Sequence, residues 1–354
     1  MREFVSPSRY IQGENVLFTS AKTILSLGNR PVLLCDEEVY PVVGKRWRDY
    51  LQRYGLLVTV GQFYGEAAWK EIDCIVALAE ASDVVIGIGG EKVIDTAKSI
   101  ADLFNLPVVV APTIASATTV TKIASIFCSN EGNYDQTSCF SKVPEIVLVD
   151  TKVICRAPKQ SFVSGIVGAL ANSLGGQVPN QLGGTEVDKS FRILLSSCLA
   201  QACSETIFNE GVQALVDCER QARTPALENI IEASILSGLV SEQTRIIPAY
   251  SIQRIIRKQT QPLCQLDSVA SLAFATVVQL LLEHKPSEVG ETYLALYQQM
   301  GVFDGWESLP INAIPYEEWI QDGDVCDQLK AAVSPKEFVN TLQEVDALVK
   351  QYSF

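Results

Sequence analysis

The groups best able to do chemistry lie together in one stretch, Asp83-Val-Val-Ile-Gly-Ile-Gly-Gly-Glu-Lys-Val-Ile-Asp-Thr-Ala-Lys98. An apolar strand runs into Gly87, Gly89 and Gly90, and a helix starts near Lys92. Glycines there let backbone N–H groups approach a pyrophosphate, while the helix presents its positive end to the anion. The same glycines would serve a plain bend, so the turn alone leaves both readings open. Asp36 ends an earlier apolar run, where acidic residues of dinucleotide folds accept from the adenine ribose. It would equally well cap a helix beginning near Glu38. A carboxylate at Asp36 repels a 2′-phosphate, which points to NAD over NADP.

Histidine and cysteine usage removes other chemistries. The chain has one histidine, His284, set in Glu-His-Lys-Pro at a helix end where a solvated side chain is expected. Of ten cysteines, the closest pair is Cys198 and Cys203, and no Cys-x-x-Cys occurs, so a structural zinc site is not expected. Cys35 and Cys74 sit in apolar runs and read as small buried hydrophobes. Cys264 and Asp267 would make a poor transition-metal pair without histidine. Serine and cysteine nucleophiles lack a usable base.

These groups need a scaffold, and the pattern supplies one. Apolar runs at Pro31–Leu34, Leu56–Val60, Asp83–Ile88, Leu106–Val110 and Glu145–Val149 alternate with helix-period segments at 38–54, 67–81 and 91–104. In the last, Val93, Ile94, Ala97, Ile100, Ala101 and Phe104 share one helical face. Strand–helix–strand units with near-continuous apolar strands imply a parallel sheet covered on both faces. After Pro158 the segments are long and helical, at about 159–175, 187–210, 225–246, 267–284, 287–300 and 335–351. The expected architecture is an α/β nucleotide-binding domain with a parallel sheet over 1–155, then an all-α domain over 156–354, with the site in the cleft between them.

Composition agrees with a sizeable core: 47 % of the 354 residues are hydrophobic and 19 % charged. The net charge of −13 disfavours nucleic acid and anionic membrane as partners. Residues 1–10 lack the apolar segment of a signal peptide. The longest apolar stretch, Val269–Leu282, is broken by polar residues and too short to span a bilayer. A soluble, cytoplasmic protein is expected.

Taken together, these segments resemble the glycerol dehydrogenases of the iron-containing alcohol dehydrogenase superfamily, which share a dehydroquinate synthase-like fold. The resemblance rests on Gly87–Lys98, Leu106-Pro-Val-Val-Val-Ala-Pro-Thr-Ile-Ala-Ser116, Val147-Leu-Val-Asp-Thr-Lys152 and Ser164-Gly-Ile-Val-Gly-Ala-Leu170. Ile231–Gly238, Phe274–Gln279 and Ser6–Gly13 extend it over nearly the whole chain. It implies a nicotinamide cofactor in the cleft, a divalent metal, small alcohols as substrates and homo-oligomers. The cofactor residues it implies are Asp36, Gly89, Gly90, Glu91, Lys92, Asp95, Thr113, Ser116, Thr118 and Thr121.

The metal site is where this sequence departs from that pattern. The family's aspartate position is Gly168; its histidine positions fall at Tyr250, or Gln253 with another gap placement, and near Ser268. The family's third consecutive glycine is Glu91, a carboxylate close to the expected pyrophosphate. Its substrate-contacting aspartate is Thr118, with Lys122 bringing a positive charge nearby, so glycerol itself is not the expected substrate. Thr118, Gly168 and Ser268 are the expected substrate contacts. Without the metal, developing charge needs another partner. Tyr250, its pKa lowered by Lys122 or by Arg245, Arg254, Arg257 or Lys258, is a proton-donor candidate; otherwise it fills the space left by the metal. The expected function is a metal-independent NAD(P)-dependent oxidoreductase acting on a small carbonyl, alcohol or imine. The alternative is a catalytically inactive relative serving as a nucleotide-binding or protein-interaction scaffold, and a lyase or cyclase role ranks last.

Overall fold

The computed structural model describes residues 4–352 except 66, 117, 123, 129–133, 141, 177–193, 245–246, 261–263, 265, 308 and 320–332. All five apolar runs become strands: β2 (Pro31–Asp36), β3 (Thr59–Phe63), β4 (Val84–Gly89), β5 (Val108–Pro112) and β8 (Ile146–Asp150). They join β1 (Arg9–Gly13) in one parallel sheet of order β1-β8-β5-β4-β2-β3. The β1 strand escapes sequence reading because an edge strand needs little apolar content: it reads Arg-Tyr-Ile-Gln-Gly. An antiparallel hairpin, β6 (Ala124–Cys128) with β7 (Tyr134–Cys139), is also absent from the expectation. Its second strand, Tyr-Asp-Gln-Thr-Ser-Cys, is polar, and the first, Ala-Ser-Ile-Phe-Cys, is too short to mark a strand alone.

Alternation along the strands sends side chains to two different cores. Val32, Leu34, Val85, Val108 and Val110 face one way; Leu33, Cys35, Ile86, Ile88 and Val109 face the other. The second set packs on α1 (Lys45–Arg53) through Trp47 and Leu51. The first packs on α2 (Trp69–Ala79) and α3 (Glu91–Leu103). Burying each such side chain contributes about 1.5–3 kcal/mol. The cluster holding α3 continues without a break into the helical half, through Phe162, Ile231, Phe274 and Val345. The two halves therefore share apolar packing.

That half comprises α4 (Lys159–Gly176), α5 (Leu194–Glu219), α6 (Pro225–Thr244), α7 (Pro248–Thr260), α8 (Ser268–Leu282), α9 (Ser287–Gln299) and α10 (Pro335–Tyr352). Of these seven, α7 was not expected. It starts with proline, and its apolar set Ala249, Ile252, Ile255 and Ile256 covers a short stretch among cations. The expected 187–210 helix ends instead at Glu219, and its expected start lies outside the described residues. Among the described residues no helix is long and apolar enough to cross a membrane.

Candidate active site

The chain leaves β2 for β3 at one edge, then returns to β4 on the other side of β2. This reversal makes the carboxyl ends of β2 and β4 the switch point, where open α/β sheets bind ligands. Cys35 pairs with Ile88 across these strands, which sets Asp36 beside Gly89. A Cβ built at Gly89 would stand 3.4 Å from Asp36 Oδ2 and 2.9 Å from Val93 Cγ2, and its φ is +156°. Only glycine fits there. At Gly87 a Cβ would meet Ala97 Cβ at 2.7 Å, so this glycine lets α3 lie directly on β4. Asp36 also accepts from the Val39 N–H at 2.6 Å, which closes the turn after β2; the N-cap of the helical segment Tyr40–Gly44 is Val39 rather than Asp36.

Gly90 is the N-cap of α3 and has no side chain to cap it; Glu91 is the first helical residue. The first intrahelical bond runs from the Ile94 N–H to the Gly90 carbonyl at 3.2 Å. The opening amides and the helix dipole thus face the end of the sheet. Thr113 is buried and donates its N–H to the Gly89 carbonyl at 3.1 Å, closing the turn from the β5 side. Ser116, half-buried, ends that loop, and α4 passes it at backbone contact: a Cβ at Gly165 would lie 2.9 Å from the Ala115 carbonyl carbon.

Two lysines sit behind the turn. Lys98 Nζ, fully enclosed, donates to the Thr119 carbonyl at 3.1 Å and pairs with Asp95 at 3.4 Å. Asp95, an expected cofactor contact, is buried on the inner face of α3 and pairs with Lys98. Burial lowers the Lys98 pKa, with Asp95 opposing. Lys122 follows the turn Thr118–Thr121, in which Thr121 is buried. Burial also lowers its pKa, while Glu91, Glu242 and Asp95 hold it up. The Lys92 side chain is exposed on α3. The Thr118 side chain lies outside the described residues.

Across from the turn, α4, α6 and α7 meet. A Cβ at Gly168 would stand 3.7 Å from the Tyr250 hydroxyl oxygen, so the phenol occupies the space beside this glycine. Tyr250 donates to Asn172 Oδ1 at 3.3 Å; Asn172 Nδ2 donates to Ser237 Oγ at 3.0 Å. Ser237 in turn donates to the Ser234 carbonyl at 2.7 Å. The start of α7 is fixed by the Ala249 N–H, which donates to Gln279 Oε1 at 2.9 Å. Asn172, Ser237 and Gln279 were not anticipated as site residues. The signal was available: each is a polar side chain inside an apolar helix run, and such groups are buried only with partners.

The structure corrects the expected state of Tyr250. Burial, and secondarily the Glu91 carboxylate, push its phenol pKa up rather than down. Arg257 instead donates to Ser268 Oγ at 3.1 Å, beside Gln253, which donates to the Ser268 carbonyl at 2.7 Å. Asp267 caps α8 by accepting from the Val269 and Ala270 N–H groups, both at 2.9 Å. A cavity of about 300 Å³ lies elsewhere, lined by Cys155, Arg156, Lys159, Glu219 and Gln221 among others, and touches none of these groups.

Comparison with known proteins decides the family. Residues 7–151 match the model of the iron-containing alcohol dehydrogenases. Glycerol dehydrogenase of Escherichia coli O6:H1 is 31 % identical over 300 residues, 84 % of this chain and 82 % of that one. The chain belongs to the iron-containing alcohol dehydrogenase family. Glycolaldehyde reductase of Halobacterium salinarum is 31 % identical over 304 residues, again 84 % and 82 % of the two chains. The crystal structure of glycerol dehydrogenase from Schizosaccharomyces pombe superposes with a TM-score of 0.87 at 26 % identity, covering 99 % of this chain and 92 % of that one. The parallel sheet with its helical second half is thus the fold of this oxidoreductase family.

The donor set at the three expected metal positions does not suit zinc or iron. Gly168 offers no side chain, Tyr250 holds its proton, and Ser268 Oγ accepts from Arg257. Among the described residues no three His, Cys, Asp or Glu side chains gather as a metal site.

Proposed function

We propose that this family member is an NAD-dependent oxidoreductase that transfers hydride to or from a small carbonyl, alcohol or imine without the metal. The observation that carries this reading is Asp36 beside Gly89 at the switch point, where α3 begins. When bound, a nicotinamide dinucleotide supplies or takes the hydride. Asp36 accepts from its adenine ribose and excludes a 2′-phosphate; Gly89, Gly90 and the α3 amides hold the pyrophosphate. Lys92, Thr113, Ser116, Thr118 and Thr121 complete that surface, with Asp95 acting through Lys98 from behind. Tyr250 flanks the reacting group, with Lys122 behind it held toward Glu91, Glu242 and Asp95, and Thr118, Gly168 and Ser268 shape its pocket. The site lies between an α/β domain (1–155) and a helical domain (156–354), in a cytoplasmic homo-oligomer. The missing side chain at Gly168, the protonated phenol of Tyr250 and the engaged hydroxyl of Ser268 support metal independence.

Glu91 favours a second reading. A carboxylate on the first turn of α3 repels the anion the turn would hold, as expected of an inactive scaffold. Calorimetric titration with NADH and NADPH, after exhaustive chelation, followed by turnover on a panel of small carbonyls and imines, separates the two: NADH binding without turnover on any of them would leave the scaffold. The oxidoreductase reading expects micromolar NADH affinity, NADPH weaker by at least tenfold, and no change on adding zinc or iron. Binding of neither nucleotide would leave the scaffold.

A further inference from the structure

The hydrogen bonds behind Tyr250 fix where its proton points. Ser237 has one hydroxyl proton and gives it to the Ser234 carbonyl, which can only accept. Asn172 must therefore offer Ser237 its Nδ2, leaving Oδ1 toward Tyr250. Tyr250 must then give Asn172 its own single proton. Asn172 and Ser237 are both fully buried, so no water competes for these bonds. Tyr250 as a residue is 36 % exposed, and with its proton given to Asn172 its hydroxyl has only a lone pair left for a further partner. It accepts; it does not donate.

The charge acting on that oxygen, among the described residues, is also negative: Glu91 raises the phenol. Behind it, Glu91, Asp95 and Glu242 face Lys98 and Lys122, three carboxylates against two ammonium groups. An acceptor in a negative field suits a ligand carrying both an N–H donor and a positive charge. It does not suit a carbonyl, because hydride addition there builds an alkoxide that needs a cation or a proton.

Resting on the oxidoreductase reading above, we propose that the substrate is a protonated imine, recognised through its N–H by Tyr250 Oη and through its charge by Glu91. The imine carbon takes hydride from the reduced dinucleotide, and the C=N π pair moves onto nitrogen, cancelling its positive charge. The products are a neutral amine and the oxidised dinucleotide, and no proton moves in the step. An iminium brings its own electrophilic charge, so it needs neither a Lewis acid nor an acidic tyrosine. A corner with glycine, a protonated phenol and an engaged serine is then sufficient. Asn172 is a positioning residue, acting through the direction of the Tyr250 proton.

The test uses the full chain loaded with NADH and titrated calorimetrically with pyrrolidinium, which reproduces the charge state before transfer but cannot react. Cyclopentanol is the neutral control of similar ring size. Pyrrolidinium is expected to bind at least tenfold tighter, and Tyr250→Phe or Glu91→Gln to remove most of that preference. Should Tyr250→Phe fail to fold, Glu91→Gln alone decides. In turnover, 1-pyrroline is expected to exceed cyclopentanone at least a hundredfold in kcat/KM. Equal or inverted affinities, failure of both probes to bind, or a preference that both variants retain would overturn the proposal. If NADH itself does not bind, the oxidoreductase reading fails, and with it reduction of an imine. The same titration of the unloaded protein then still reports whether the corner selects a cation.

Discussion

The turn that opens α3 and the corner where α4 meets α7 are electrostatically joined, since Glu91 acts on Tyr250. Their glycines are held in very different ways. At the turn, Gly87 and Gly89 are held by contacts that no side chain could satisfy, at 2.7 Å and 2.9 Å. At the corner, Gly168 has room for a methyl group, with its nearest neighbour 3.7 Å away. One glycine position is dictated by backbone packing against a strand; the other is set by what sits opposite. A glycine fixed by the sheet–helix contact cannot change without moving α3, whereas one that faces a single side chain can.

The harshest way to break this contrast is Gly89→Ala. The added methyl would press on Val93 and adopt a φ that side chains rarely tolerate. We expect a cost of about 1–3 kcal/mol in urea unfolding. NADH affinity should fall by at least a hundredfold, because α3 must shift from β4. Ser268→Ala at the corner should change NADH affinity by less than threefold. If Gly89→Ala binds NADH like the parent protein, the turn is not the dinucleotide site.

A smaller effect sharpens the link between the two regions. Glu91→Gln removes a charge at the helix start while keeping size. NADH should bind about tenfold tighter, an effect on the order of 1.4 kcal/mol, because an anion at a helix N-terminus no longer meets a carboxylate. The same change should weaken pyrrolidinium. Opposite shifts for the two ligands, read by calorimetry, are the expected outcome. Parallel shifts would mean that Glu91 acts through structure rather than charge.

The contrast also explains what could be read from sequence. Five of the six strands of the parallel sheet were legible because each is a local apolar run, and Asp36 and Gly89 each end such a run. The turn was legible for the same reason. The corner was not: Tyr250 and Asn172 are 78 residues apart, and Asn172 and Ser237 are 65 apart. A tyrosine with arginines nearby in sequence suggested a lowered pKa. The fold sends Arg257 to Ser268 and leaves Glu91 as the charge acting on the phenol. Nearness along α7 did not bring Arg257 to the phenol, because residues in adjacent helical turns can serve different neighbours, and Arg245 lies outside the described residues.

The gentlest change probes how the corner is filled. Gly168 lies inside α4, and its backbone is helical, so glycine there costs conformational freedom without repaying it in geometry. A methyl would meet the Tyr250 hydroxyl at ordinary contact distance. Gly168→Ala should therefore stabilise the protein by about 0.5–1 kcal/mol, seen as a higher Tm. The phenol should keep its bond to Asn172, and pyrrolidinium affinity should stay within threefold. A fall in Tm would place the phenol against the helix, making the empty position a requirement of Tyr250. A rise with unchanged binding would show that glycine is dispensable here, whereas Gly89 is not, and that Tyr250 is held by Asn172 and Gln279 rather than by the gap beside it.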